Sequence, residues 1–241
     1  MSSSFTFKQF VIHQENTAMK AGTDGVLLGA WCDFANAQRI LDIGTGTGLI
    51  ALMAAQKSDE NARIHALEID SDAYRQACGN VAESRFKGKI EVFHGDFAEF
   101  SLSSTPQKTK YDYIVSNPPF FENSQKSTDS KRTLARHTDS LPFSKLIDGV
   151  AEIISDGGFF SVIIPNISCL EFVRLCALSH LHLCHKTLIF TKQGADQPRR
   201  VMLTFSKQLL PLIQDSIAIN AIDGGLTKQY KDLTCDFYLK F

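Results

Sequence analysis

The stretch DIGTGTG at residues 42–48 decides the fold, because it follows the apolar run RILDI at 39–43 and leads directly into the helical pattern LIALMAAQK at 49–57. Glycines at alternating positions let the backbone turn sharply and let a ligand approach the main chain. The spacing does not match the P-loop, G-x-x-x-x-G-K-[ST], and it differs from the G-x-G-x-x-G of dinucleotide sites. It predicts a strand, a ligand-binding turn and a helix.

Working outward, short apolar runs alternate with helical patterns along the chain. The runs predict five strands, at 39–43, 64–69, 90–94, 111–116 and 159–164, and the patterns predict helices at 49–57, 73–85 and 143–154. Such alternation favours an α/β fold whose sheet is parallel, with helices on both faces.

The last part of the chain departs from this alternation. Two strand-like runs at 186–191 and 201–205 are separated only by the polar loop KQGADQPRR, which is too short for a crossover helix. We therefore expect them to form an antiparallel hairpin.

Composition limits the class of protein. The chain has 241 residues, 25 Lys and Arg against 26 Asp and Glu, and a net charge of −1, so any nucleic-acid contact must come from a local patch. We expect a single domain, 1–241, made of an N-terminal segment (1–38), a core (39–206) and a C-terminal extension (207–241). No apolar run is long enough for a membrane helix, and no secretory signal is visible at the N-terminus, so a cytoplasmic location is expected.

Acidic residues stand at the ends of the second and third predicted strands. Glu68 lies 20 residues after Gly48, a distance at which a carboxylate can accept hydrogen bonds from the two hydroxyls of a ribose. Asp96 offers an acceptor for an adenine amino group, and Phe97 offers an aromatic ring beside it.

DIGTGTG, LEID at 67–70 and HGDF at 94–97 together resemble the S-adenosylmethionine-dependent class I methyltransferases. The resemblance implies a Rossmann-like sheet of five parallel strands with a C-terminal antiparallel hairpin, and S-adenosyl-L-methionine as cofactor. It implies that the methionine and ribose part is lined by Asp42, Gly44, Gly46 and Gly48. Glu68 would bind the ribose diol, and Asp96 with Phe97 would bind the adenine. An NAD enzyme or an inert Rossmann relative is the alternative.

The fourth strand ends in Asn117-Pro118-Pro119-Phe120, at the edge where ligands bind in such sheets. A conjugated exocyclic amine is a poor nucleophile because its lone pair is delocalised. The side-chain oxygen of Asn117 and the carbonyl of Pro118 can accept from its N–H groups, while the prolines fix the backbone and Phe120 can stack on a planar substrate. The alternative is a Pro-Pro turn that only ends a strand.

This tetrapeptide resembles the [DNS]-P-P-[YFW] motif of amino methyltransferases, which places Asn117 at the cofactor as well as at the substrate. The group includes enzymes for adenine N6 in DNA or RNA, guanine N2 in ribosomal RNA, and glutamine N5 in release factors. A release-factor enzyme would usually carry an extra N-terminal helical domain, and only 38 residues precede the first predicted strand. A non-enzymatic scaffold would be expected to have lost part of these motifs.

FKQF at 7–10 and GTDGVLLGAW at 22–31, together with NPPF, ARH at 135–137 and PRRV at 198–201, resemble a bacterial family. That family methylates N6 of the adenine just 3′ of the anticodon in a valine tRNA. The resemblance covers about residues 5–206. It implies a tRNA partner, and cofactor contacts from Lys20, Thr23, Asp24 and Gly25. For Asp24 the alternative is a helix cap.

Two basic segments are consistent with an RNA substrate. Residues 126–136 carry a net +3 and residues 186–208 a net +4, which suits them to neutralise phosphates. The candidate RNA-binding residues are Lys126, Lys131, Arg132, Arg136, Arg199 and Arg200. A solvated loop is the alternative for both segments.

Five Cys and His residues crowd into 176–185, but their spacing matches none of the common zinc patterns. We expect no metal, no membrane contact and no obligatory protein partner.

Overall fold

The computed structural model of the chain describes residues 4–15, 22–102, 109–119 and 141–240. The strands are β1 Ser4–Thr6, β2 Val11–His13, β3 Arg39–Ile43, β4 Arg63–Glu68, β5 Ile90–His94, β6 Tyr111–Ser116, β7 Ile154–Pro165, β8 His182–Lys192, β9 Arg200–Ser206 and β10 Ile213–Asn220. The helices are α1 Thr23–Trp31, α2 Leu49–Lys57, α3 Ser71–Glu83, α4 Phe97–Leu102, α5 Phe143–Ile153, α6 Cys169–Leu178 and α7 Lys228–Thr234.

Eight of the strands form one sheet in the order β10-β8-β9-β7-β6-β3-β4-β5. Five adjacent strands, β3 to β7, run parallel to one another. β9 runs antiparallel to both of its neighbours, β7 and β8. The expected α/β fold with five parallel strands and a C-terminal antiparallel hairpin is therefore confirmed.

The sequence reading missed the outermost strand and several short elements. β10 pairs parallel with β8 at the edge of the sheet, and α7 packs near it in the C-terminal segment. β1 and β2 form a separate two-stranded sheet. The backbone of Lys8 in the N-terminal segment donates to the Phe237 carbonyl at 2.8 Å, so the two ends of the chain meet.

Helices cover both faces of the sheet and bury two cores. On one face, α1 packs on α2 so closely that a Cβ at Gly29 would come within 2.6 Å of the Met53 sulfur. On the other face, α4, α5 and α6 bury a second core that includes Phe160 and Phe172. This packing fixes α1 beside the first residues of α2, which follow the glycine turn.

The helices of the described ranges are too short or too polar to cross a bilayer.

Candidate active site

Three strand ends meet at the carboxyl edge of the sheet. Ile43 of β3 pairs with Leu67 of β4 on one side and with Ser116 of β6 on the other. The Ser116 hydroxyl also donates to the Ile43 carbonyl at 2.9 Å. The residues that follow these three register partners therefore lie side by side at the carboxyl edge of the sheet. They are Gly44, Glu68 and Asn117.

The glycine turn uses left-handed backbone at Gly44 (φ +70°), Gly46 (φ +58°) and Gly48 (φ +83°), a region that disfavours residues with a Cβ. A Cβ at Gly44 or Gly46 would meet no protein atom within 4 Å. The turn thus presents bare backbone to open space at the sheet edge, where a ligand can approach the main chain.

Glu68 fastens this turn from the neighbouring strand. Its side chain is only 8% exposed. One carboxylate oxygen accepts from the Gly46 backbone N–H at 2.8 Å, and the other accepts from the N–H groups of Ile69 and Asp70 at 3.0 and 2.9 Å. Because a carboxylate offers about four acceptor positions, these three bonds leave limited room for further donors. Glu68 consequently has a structural role that its position in the sequence did not reveal.

Asp42, near the end of β3, also binds the glycine turn. One of its oxygens accepts from the Thr45 hydroxyl at 2.6 Å and from the Ala51 backbone N–H at 3.1 Å, which ties the turn to the first part of α2. The other oxygen is buried without a hydrogen-bond partner. Burial is the main reason that the pKa of Asp42 rises from 3.8 to about 7. Asp42 and Thr45 are only three residues apart, so a hydrogen bond between their side chains could have been predicted from the sequence.

The Asn117-Pro118-Pro119 turn follows β6 at this edge. Asn117 is partly exposed, Pro118 is buried and Pro119 is exposed. The next residue of the motif, Phe120, lies outside the described residues. The structure thus brings Asn117 beside the glycine turn, as its place after the fourth strand predicts.

The first turn of α1 lies against this site. A Cβ at Gly25 would come within 3.1 Å of a Leu49 methyl group at the start of α2, and would be 4.0 Å from the side-chain nitrogen of Asn117. Gly25 therefore allows α1 to approach both the glycine turn and the Asn117 turn. Thr23 begins this helix, whereas Lys20 is outside the described ranges.

Asp24 and Arg200, expected to contact cofactor and RNA respectively, form an ion pair with each other. The Arg200 guanidinium Nε donates to the Asp24 carboxylate at 2.9 Å. The Arg200 side chain is 17% exposed and the Asp24 side chain is 32% exposed. The N-cap of α1 is Gly22, so Asp24 is a first-turn residue and not the cap. The ion pair joins the start of β9 to the start of α1.

Asp96 and Phe97 lie beyond β5 at the same edge. One Asp96 oxygen accepts from the N–H groups of Ala98 and Glu99 at 2.7 and 3.2 Å, and so caps α4. The Phe97 ring is 4% exposed and packs on Gly149 of α5, where a Cβ would come within 2.6 Å of the ring. Phe97 thus belongs to the core beneath the edge, and its side chain offers little free surface to a ligand.

Comparison with known proteins agrees with this geometry. Residues 22–141 match the model of the methyltransferase small domain. A Phocaeicola vulgatus protein named tRNA1(Val) (adenine(37)-N6)-methyltransferase is 46% identical over 98% of this chain and 97% of its own length. A Haemophilus influenzae protein with the same name is 42% identical over 99% of this chain and all of its own.

The chain belongs to the tRNA1(Val) (adenine(37)-N6)-methyltransferase family. Its fold is shared with more distant solved structures. A predicted O-methyltransferase from Agrobacterium tumefaciens aligns with a TM-score of 0.67 at 21% identity, over 89% of this chain and 96% of that one. A putative RNA methyltransferase from Pyrococcus horikoshii aligns with a TM-score of 0.51 at 20% identity, over 76% and 82%. These likenesses concern the fold alone.

Of the six predicted RNA-binding residues, the structure describes two, Arg199 and Arg200. Arg199 is exposed just before β9, and its carbonyl accepts from the Asn166 N–H at 3.2 Å. The hairpin therefore lies at the same edge as the glycine turn. The four other RNA-binding candidates fall outside the described residues: Lys126, Lys131, Arg132 and Arg136.

Three of the five Cys and His residues at 176–185 make packing or local contacts. Cys176 is fully buried and Cys184 is 6% exposed, and burial raises the pKa of both thiols. His185 contacts Asp215 at 3.1 Å, and its ring lies tilted against Trp31 with the ring centroids 4.6 Å apart. Across the described ranges, the structure holds no group of three or more such side chains that could bind a metal.

Proposed function

We propose that the protein transfers a methyl group from S-adenosylmethionine to the N6 amine of an adenine in tRNA, at adenine 37 of tRNA1(Val) as in its named relatives. One observation carries the proposal: the Asn117-Pro118-Pro119 turn emerges level with the glycine turn and Glu68. A turn that resembles the motif of amino methyltransferases and the open backbone of the glycine turn thus meet at one edge of the sheet.

The residues at this edge fit the cofactor. The open space at Gly44 and Gly46, which a Cβ would fill, suits the close approach of a ligand to the backbone. The unpartnered oxygen of Asp42 is a buried acceptor with no protein donor, and such atoms are rare unless a ligand or ion completes them. Glu68 would face the ribose and Asp96 the adenine. When bound, S-adenosylmethionine supplies an electrophilic methyl group on a sulfonium.

Asn117 and Pro118 would prepare the target amine. The Asn117 oxygen and the Pro118 carbonyl accept from the two N–H bonds of the adenine amine, and so favour a pyramidal nitrogen whose lone pair is available. The amine sheds its proton after the new N–C bond forms, so the site needs no strong base beforehand. Gly25 lies beside Asn117, since a Cβ at Gly25 would be 4.0 Å from the side-chain nitrogen of Asn117.

The tRNA would enter from the β9 side of the edge. Arg199 is exposed there, and Lys20, Phe120, Lys126, Lys131, Arg132 and Arg136 complete the proposed set of cofactor, base and phosphate contacts. A target base in an anticodon loop must leave its stack to reach a pocket of this kind.

Product identity tests the proposal. The protein is incubated with labelled S-adenosylmethionine and total tRNA from a strain that lacks the modification, and the nucleosides are analysed by mass. N6-methyladenosine in the valine tRNA supports the proposal. N2-methylguanosine in ribosomal RNA, or methylglutamine in a release factor with the tRNA unmodified, would contradict it.

A further inference from the structure

Two large apolar side chains stand almost fully exposed next to the candidate active site. Ile167 is 92% exposed and Leu170 is 83% exposed. Isolated apolar side chains are common on protein surfaces. These two, however, are three residues apart in the 3-10 turn Asn166–Ser168 and the start of α6, so they lie on one side of continuous helical backbone.

Their position links them to the site. The 3-10 turn directly follows β7, whose Val162 pairs with Ser116 of β6, one strand spacing of about 4.8 Å away. The other side of the turn is bound to the hairpin through the Asn166 N–H and the Arg199 carbonyl, at 3.2 Å. Because β7 lies between β6 and β9 in the sheet, the 3-10 turn that carries Ile167 follows a strand flanked by the one that leads to Asn117 and by the one that follows Arg199.

The charges around the pair suit a polyanion with apolar faces. Arg174 is exposed one helical turn beyond Leu170, on the same side of α6. Arg199, whose carbonyl accepts from the Asn166 N–H, is also exposed. Glu171 adds a carboxylate in the first turn of α6, so Arg174, Arg199 and Glu171 together carry one net positive charge. RNA loops combine phosphates with unstacked bases, and both features match this surface.

We propose that Ile167 and Leu170 contact the unstacked bases beside the target adenine in the tRNA loop, while Arg199 and Arg174 contact the neighbouring phosphates. The inference rests on the proposed function. When the adenine leaves the stack, its neighbours lose a partner face, and apolar side chains can cover the exposed base as aliphatic wedges do in other nucleic-acid complexes.

A protein partner fits this surface less well. The two exposed arginines and the place of the turn, at the same edge of the sheet as Asn117, favour the proposed nucleic-acid substrate. The exposed apolar side chains at Leu209, Leu212 and Ile213 lie at the opposite edge of the sheet, before and in the first part of β10, so they are separate from the pair.

The test compares Ile167→Ser/Leu170→Ser with Ile167→Phe/Leu170→Phe and with a matched control, Leu178→Ser. Leu178 is 67% exposed at the far end of the same helix. All of these side chains are exposed, so stability should change little. Dissociation constants for the valine tRNA are measured over a range of salt concentrations, alongside cofactor affinity and N6-methyladenosine formation.

We expect the serine pair to weaken tRNA binding by about tenfold, the scale of one lost base contact, with the salt slope and cofactor affinity unchanged. The phenylalanine pair and Leu178→Ser should bind as the wild type does. Arg199→Ala should instead lower the salt slope by about one. Equal tRNA affinity in the serine and phenylalanine pairs would overturn the inference, and a serine pair that weakens cofactor binding equally would do so too. Failure of the proposed function would be recognised by a different result, because the wild type itself would then leave the tRNA unmethylated.

Discussion

Arg200 Nε donates to the Asp24 carboxylate at 2.9 Å, across 176 residues of sequence. The bond ties the hairpin strand β9 to α1, the helix whose Gly25 lies beside Asn117 and Leu49. We infer that the pair positions the first turn of α1 over the cofactor site.

The ion pair should matter for cofactor binding. Asp24→Ala and Arg200→Ala should each raise the dissociation constant for S-adenosylmethionine by roughly three- to tenfold, because a partly buried charge-assisted pair is worth more than an exposed one. Calorimetry checks this. The swap Asp24→Arg/Arg200→Asp should recover part of the loss, and wild-type affinity in both single variants would contradict the positioning role.

Open backbone at Gly46 should be required for the ligand and not only for the turn. Gly46→Ala places a Cβ at φ +58° in open space, and Gly224→Ala places one at φ +89° in open space far along the sheet. Both variants should lose roughly 1–2 kcal/mol of unfolding free energy through backbone strain. Only Gly46→Ala should lose cofactor affinity, by at least about tenfold. Denaturant unfolding and calorimetry measure the two effects, and equal affinity in both variants would count against the cofactor site.

Asp42 should make stability depend on pH. Its pKa of about 7 in the folded chain lies above the ordinary 3.8, so the folded state holds the proton more tightly. The stability that it contributes is present below about pH 4 and is lost as pH rises through 7. The difference in unfolding free energy between wild type and Asp42→Asn should therefore fall by up to about 1.4 kcal/mol per pH unit in that range. A difference that is flat or rises between pH 4 and 7 would refute the assignment.

Phe97 should act mainly through packing. Its ring fills the space above Gly149, so Phe97→Ala should lower the unfolding free energy by about 3–5 kcal/mol, as measured by denaturant unfolding. Phe97→Leu should fold with a smaller loss and keep cofactor affinity within about threefold. A large loss of affinity in Phe97→Leu, at near wild-type stability, would instead indicate direct contact with the adenine.

The sequence could predict the elements whose signals are local. The hydrophobic pattern of the sequence shows the apolar runs of β3 to β6 and the short polar loop before β9. Because Glu68 and Asn117 stand at the ends of parallel strands, their place at one edge of the sheet could also be predicted. β10 was missed because IQDSIAIN has charge in its first half and is exposed there. Its pairing with β8 arises from tertiary contact, which periodicity does not report.

The roles of individual side chains were harder to foresee. Glu68 and Asp96 look like ligand acceptors in sequence, yet both also accept backbone N–H groups in the folded chain. The Asp24 contact with Arg200 spans residues too distant for any local pattern. Hydrogen bonds of this kind, from backbone N–H groups to a carboxylate, become visible only when the backbone is placed.

The most direct test of the central claim is the single-turnover rate of N6-methyladenosine formation in valine tRNA by wild type and by Asn117 variants, with cofactor affinity measured in parallel. We predict that Asn117→Ala keeps cofactor affinity near that of the wild type and lowers the rate by about 10²-fold or more, the scale for losing a preorganised polar contact in the transition state. Asn117→Ser and Asn117→Asp, which keep an acceptor, should fall between the two. An Asn117→Ala enzyme that forms N6-methyladenosine at the wild-type rate would contradict the account.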